Sequence, residues 1–493
     1  MNAEQEINLR LHGLTHDGRG VGRHEGLAVF VEGGLPGQTV SCRLTNQKKN
    51  LAEASLIAVL ENSPDERQNP CRHAQDCGGC PLQALKYPAQ LVWKTQLVQD
   101  AILRIGHLHL PENCFLPIQT LSAQDASEWG YRNKMEFTFA QDEQGKTQLG
   151  LLGRHSHRVV EVTDCLLQTP RTMRILADIR QLTDQHGLTA YTAPGASSNT
   201  NKHLRQTSEA GILRFAIIRE PRLGKEQAET SQCQVELITA PPSKEQTAKL
   251  VALGKDLLAK AKVSGFVHSV RISQAAVAYG EKIILRLGRV NLSESLLLGE
   301  HPTWVTYELG AQSFFQVNTA MAEKLYNTAI SWVRNYTAQS GEARTTCFDL
   351  YCGVGGLGLA LAPLFSTVLG LDNNRLAIEL ARKNARAFPN CKFETAEADQ
   401  LAKVFKLSGT PDLLCADPPR KGLEKEAAMA ILRRLPRHLL LISCNPPSLA
   451  RDLALLAEQY EIKAIQPFDL FPQTPHVETL VWLTLRQPQK SST

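Results

Sequence analysis

The chain has 493 residues, 43% of them hydrophobic and 21% charged, with a net charge of +5. That length supports two or three domains with proper cores, and no apolar run reaches the roughly 18 residues of a membrane span. Met1 to Arg10 carries Glu4 and Glu6 without an apolar stretch, unlike a secretory signal, so a cytoplasmic protein with no membrane partner is expected. The mild positive charge suits a polyanion without demanding one.

In chain order, short strands are expected at Ile7 to Leu11, Leu27 to Val31, Gln38 to Leu44 and Ala52 to Val59. Glycines at 13, 18, 20, 22 and 26 read as turns of a small barrel ending near residue 62. Asn62-Ser63-Pro64-Asp65 reads as a linker. Of the 12 cysteines, Cys71, Cys77 and Cys80 crowd together in a chain with no sign of secretion. Metal binding or catalysis therefore explains them better than a disulfide scaffold. Apolar residues at helical spacing predict a helix over Gln83 to Arg104. Strands are expected at Lys134 to Phe139, Val159 to Val162 and Gly211 to Ile218, with polar surface insertions at Ala193 to Lys202 and Leu223 to Gln232.

From about Tyr307, short apolar strands (Cys347 to Leu350, Thr367 to Leu371, Asp412 to Ala416, His438 to Ser443, Val477 to Leu485) alternate with helical stretches such as Arg375 to Phe388. This is the pattern of a doubly wound α/β sheet, whose ligands sit at the carboxyl ends of the strands. The first of these strands ends in Asp349-Leu350-Tyr351-Cys352-Gly353-Val354-Gly355-Gly356. A glycine-rich turn lets a nucleotide approach the backbone. Asp349 suits a cationic sulfonium, Asp372 a ribose diol and Glu397 an adenine edge, so S-adenosylmethionine is the expected cofactor.

The fourth strand ends in Asp417-Pro418-Pro419-Arg420, where two prolines keep the backbone extended and aim Asp417 into the site. Arg420 stands where enzymes acting on exocyclic amines place an aromatic ring. The fifth strand delivers Cys444 to the same edge, followed by Asn445-Pro446-Pro447. A thiolate adding to C6 of uracil makes C5 nucleophilic, and the C5 proton must then pass to a base. Glu478 is the expected base and His476 the alternative. Cys415 lies inside its strand and reads as core.

These motifs resemble the RNA uracil-5-methyltransferase family over nearly the whole length. Ser313-Phe314-Phe315-Gln316-Val317-Asn318, the Asp417 loop, Ser443-Cys444-Asn445-Pro446 and Phe471-Pro472 through Glu478 follow the family order. The resemblance implies cofactor contacts from Gln316, Tyr351, Asp372, Glu397 and Asp417. It departs at Tyr351, Gly356, Asp372 and Pro447, where the family often has Phe, Asn, Glu and Ala; Gly356 can offer only its backbone. Cys71, Cys77, Cys80 and the distant Cys165 resemble the branch that holds a [4Fe–4S] cluster, with zinc the alternative. The N-terminal segment resembles a TRAM domain, a β-barrel associated with RNA binding.

The expected fold is therefore α/β, with a TRAM-like barrel over 1–62, a central α+β iron–sulfur domain over 63–306, and a Rossmann-like methyltransferase domain over 307–493. RNA contacts are expected from the barrel, from Arg132, Lys134, Arg154 and Arg158, and from the catalytic cleft, in a monomeric protein. Ribosomal RNA is the expected substrate and the transfer RNA T loop the runner-up. A 5-methylcytosine enzyme would carry its cysteine as Pro-Cys on the fourth-strand loop. An inactive RNA-binding relative would be expected to lose Cys444 or Glu478.

Overall fold

The computed structural model describes residues 5–121, 128–154, 156, 158–192, 211–221, 232–338 and 345–487. Strands β1 (Glu6–Leu14), β2 (Gly20–His24), β3 (Leu27–Glu32), β4 (Thr39–Gln47) and β5 (Leu51–Glu61) close a barrel in the order β1-β2-β3-β5-β4. Alternation sends Ile7, Leu9 and Leu11 inward against Val29, Val31 and Val40. Strand β2 corrects the expectation that every early glycine makes a turn. Gly18 and Gly26 do adopt positive φ, but Gly20 and Gly22 lie inside β2 and Gly13 inside β1. A Cβ on Gly22 would stand 2.1 Å from Leu9 Cδ1, so this glycine lets the strand close over the barrel interior.

Helix α1 (Tyr87–Arg104) begins four residues later than expected, with Pro88 in its first turn. Proline there needs no partner for the N–H it lacks, and so sets the start. A seven-stranded sheet follows, built from β6 (Lys134–Gln141), β7 (Thr147–Leu152), β8 (Val159–Val160), β9 (Leu213–Arg219), β10 (Gln234–Thr239), β11 (Gly265–Val270) and β12 (Lys282–Gly288). Its order is β12-β11-β10-β9-β6-β7-β8. Helices α2 (Pro170–Gln185) and α3 (Lys244–Lys260) cover it, giving the central α+β layer. Most of the two polar insertions lies outside the described residues.

The hairpin of β13 (Leu292–Leu298) and β14 (Thr303–Leu309) and the helix α4 (Thr319–Ala338) join the core of the last unit. The change of texture at Tyr307 thus falls inside a strand. Leu296, Leu298, Val305 and Tyr307 bury their side chains with the last sheet, so by packing that unit begins near Leu292.

That sheet comprises β15 (Thr346–Leu350), β16 (Thr367–Asp372), β17 (Cys391–Thr395), β18 (Leu413–Ala416), β19 (His438–Ser443), β20 (Tyr460–Phe468) and β21 (Glu478–Leu485). The order is β17-β16-β15-β18-β19-β21-β20, parallel except at β21, with crossover helices α5 (Gly356–Leu361), α6 (Arg375–Asn384), α7 (Leu401–Ser408), α8 (Lys425–Arg434) and α9 (Pro446–Leu456). Alternate strand residues feed a core on each face, Cys347 and Leu440 on one, Phe348 and Leu441 on the other. Helix α1 reaches into the second core through Val98, Ala101 and Ile102, tying the segment after the cysteine cluster to this sheet. Among the described residues, no helix is long and apolar enough to cross a membrane.

Candidate active site

The loop after β15 bends sharply, with Tyr351, Gly353 and Gly355 all at positive φ. Asp349 is buried, and its Oδ2 accepts the Gly358 N–H at 2.8 Å. Burial pushes its carboxyl up to about 8, against that hydrogen bond. Its visible work is thus to fasten the glycine loop to the first turn of α5. Asp372 ends β16 and accepts the Gly353 N–H through Oδ2 at 2.9 Å and the Asn374 N–H through Oδ1 at 2.8 Å. Glu397, exposed beyond β17, accepts from Asn373 Nδ2 at 3.2 Å. Tyr351, Asp372 and Glu397 line one cavity of about 40 Å³ at the strand ends. Gln316, buried ahead of α4, and Asp417, just beyond β18, lie outside it.

On the other side of β15, three strand ends gather acids and a thiol. Asp417 follows β18, Cys444 follows β19, and Glu478 opens β21, buried to 2% exposure. Asn445 Nδ2 donates to the Arg420 carbonyl at 2.8 Å, locking the cysteine loop to the Asp417 loop. Burial pushes Asp417 up to about 7. It also pushes Glu478 well above the carboxylate range, with Asp417 adding to that rise and Arg420 opposing it. Burial, Glu478 and Asp417 together push the Cys444 thiol up to about 11, while Arg420 pulls it down. Cys444 and Glu478 thus each respond to Asp417 and Arg420, the kind of perturbation that gathers at functional sites. Cys415 is core as expected, its sulfur 3.9 Å from that of Cys347.

His476, the alternative to Glu478 in the sequence, lies against Arg420. Its Nε2 lies 3.3 Å from Arg420 Nη2, and guanidinium only donates, so the ring's acceptor nitrogen is already engaged. Burial and Arg420 hold its pKa down at about 4.

The loop joining β20 to β21 is clamped from outside. Lys94 of α1 and Asp469 are both fully buried and ion-paired, and Lys94 Nζ also donates to the Phe471 carbonyl at 2.9 Å. Tyr87 Oη donates to Asp469 Oδ2 at 2.8 Å. Gln473, buried at φ +73°, exchanges hydrogen bonds with Gln90 in both directions and donates to Glu128 Oε2 at 2.7 Å. None of these was singled out from the sequence. The available signal was Gln90 and Lys94 sitting on the same helical stripe as Val98 and Ile102.

Cys71, Cys77, Cys80 and Cys165 are free and line one cavity of about 750 Å³. Burial pushes the Cys165 thiol up to about 11, and the neighbouring thiols of Cys77 and Cys71 add to the shift. Among the described residues, no group of three or more His, Cys, Asp or Glu is arranged to hold a metal ion. The thiols share a cavity without forming a closed cage. Arg132, Lys134 and Arg154 line the same cavity, together with Arg19 of the barrel. Arg158 instead pairs with Asp76 at 2.9 Å.

Comparison with known proteins gives a consistent set of likenesses. The tRNA (Uracil-5-)-methyltransferase family model matches residues 258–486 and the TRAM domain model residues 4–57. An uncharacterised RNA methyltransferase of Nitratidesulfovibrio vulgaris is 36% identical over 490 residues, covering 98% of this chain and 96% of that protein. A counterpart in Thermosynechococcus vestitus is 34% identical over 483 residues, covering 97% and 98%. The solved Pyrococcus abyssi tRNA (uracil-54, C5)-methyltransferase with S-adenosyl-L-homocysteine shares the fold, at a TM-score of 0.70 and 24% identity over 97% of this chain and 100% of that one.

Proposed function

The chain belongs to the RNA uracil-5-methyltransferase family and is an S-adenosylmethionine-dependent transferase with a TRAM domain, and from that premise we propose that it methylates C5 of a uridine in 23S ribosomal RNA through a covalent Cys444 adduct. The observation that carries this reading is the meeting of Cys444, Glu478, Asp417 and Arg420 at adjoining strand ends.

In the resting protein Cys444 is a thiol, held so by burial and by two acids. Positive charge entering beside Asp417 favours the ionised forms of Cys444 and Glu478, as Arg420 already does, and their protons pass to solvent. The Cys444 sulfur then adds to C6 of the uracil, and the electrons of the C5–C6 double bond become available at C5. S-adenosylmethionine supplies the methyl group that C5 takes up and departs as a neutral thioether. Glu478, as carboxylate, removes the C5 proton. The freed electron pair rebuilds the double bond while the C6–sulfur bond breaks, returning Cys444. Tyr351, Asp372 and Glu397 hold the nucleoside part of the cofactor in this reading, and Gln316 and Asp417 the remainder.

We further propose that Cys71, Cys77, Cys80 and Cys165 hold a [4Fe–4S] cluster: the reading rests on four free thiols lining one cavity, which here are not arranged as a closed metal cage. Methyl transfer moves no net electrons, so the cluster's part is to shape the RNA-facing cavity. The protein acts in the cytoplasm as a monomer in this reading, with no membrane partner. A second reading, the T-loop uridine of transfer RNA, draws on the description of the matching family.

The test is to incubate the protein with total RNA and methyl-labelled S-adenosylmethionine, then map the label by mass spectrometry. Label as 5-methyluridine in 23S RNA is the expected result. Label confined to transfer RNA would select the second reading, and label in 5-methylcytosine or methyladenosine would overturn both.

A further inference from the structure

Helix α4 carries Tyr326, whose ring is 5% exposed. Its hydroxyl stands 2.6 Å from where a Cβ on Gly356 would sit, at the first residue of α5. Any larger residue at 356 would collide with it, so the glycine makes room for this hydroxyl. Tyr307, fully buried, donates to the Gly356 carbonyl at 3.1 Å. The Tyr326 hydroxyl, in contrast, makes no hydrogen bond among the described residues. Its oxygen is not among the fully buried atoms that lack a partner, so it keeps access to a ligand atom and is free to donate to or accept from one. Asp417, Asp349 and Glu478 all lie close enough to hinder its ionisation.

We propose that the Tyr326 hydroxyl binds the amino-acid end of S-adenosylmethionine, beside Asp417. The inference rests on the assignment of the cofactor to this strand edge. With the ribose at Asp372 and the methyl turned to Cys444, the amino-acid end falls on the α4 side of the loop. An ammonium there meets the acids and can donate to the tyrosine oxygen, while a carboxylate can accept from the hydroxyl. Tyr326 is then a cofactor-binding residue that no motif announces.

The test is calorimetric titration of the full chain with two probes. S-adenosylhomocysteine keeps the amino-acid end, and 5′-methylthioadenosine lacks it. Tyr326→Phe is expected to weaken the first about tenfold, the loss of one hydrogen bond to a charged group, and to leave the second within about twofold. The KM for S-adenosylmethionine should rise more than kcat falls. Gly356→Ala, which pushes on the hydroxyl, should show the same selectivity and serves if the first variant fails to fold. Unchanged affinity for S-adenosylhomocysteine, or equal weakening of both probes, would overturn the proposal. Separately, an Asp372→Asn protein that binds both probes normally would overturn the ribose assignment and leave the Tyr326 comparison readable.

Discussion

Lys94 and Asp469 are both fully buried, and the pair is the main fastening between α1 and the loop that leads to Glu478. Replacing Lys94 with Met keeps the apolar stem and removes the ammonium. Asp469 is then left with Tyr87 as its remaining side-chain partner and the Phe471 carbonyl loses a donor. Breaking a buried pair from one side costs roughly 3–5 kcal/mol, because a charge is left uncompensated. Replacing both partners with apolar residues of similar volume removes that penalty, so Lys94→Met/Asp469→Leu should recover most of the stability. Activity should not follow, since Tyr87 loses its carboxylate acceptor and the loop its anchor. Thermal unfolding of Lys94→Met, Asp469→Leu and the double variant, paired with initial rates on RNA, separates the two effects. Single variants within about 0.5 kcal/mol of wild type, or a double variant that regains full turnover, would refute the clamp.

Three further outcomes follow from the geometry. Asp349, raised from 3.8 to about 8, favours folding while protonated, so its contribution is full below about pH 4 and is lost as pH rises through 8. Thermal midpoints of the cofactor-free protein should therefore fall less steeply between pH 5 and 8 in Asp349→Asn than in wild type, and identical slopes would contradict this. Gly22→Ala places a Cβ 2.1 Å from Leu9 Cδ1 and should destabilise the barrel by about 1–3 kcal/mol, read from hydrogen exchange of β1 and β2 amides. Cys80→Ser, made in protein purified without oxygen, should abolish the visible absorption of an iron–sulfur cluster; a wild type binding zinc in its place would refute that assignment.

The last sheet was the most legible part of the chain, because its buried parallel strands are uninterrupted apolar runs such as His438 to Ser443. Edge strand β20 escaped notice, its pattern broken by Glu461, Lys463 and Pro467. Strand β2 was hidden because glycine marks turns and close strand crossings alike, and only the position of Leu9 distinguishes them. At the site, Cys444 and Glu478 were readable because each ends or opens a strand at the ligand edge. Lys94, Gln473 and Tyr326 were not, since their partners lie 375, 383 and 30 positions away along the chain. Contacts of that kind are set by packing between units and leave no local pattern.

The most direct test of the central claim compares Cys444→Ala with Glu478→Gln on the same RNA with S-adenosylmethionine. The account predicts no methylated uridine and no adduct from Cys444→Ala. It predicts a stable protein–RNA adduct from Glu478→Gln that carries the methyl group and is stalled before loss of the C5 proton. Methylation that survives the loss of Cys444, or full turnover without an adduct in Glu478→Gln, would contradict it.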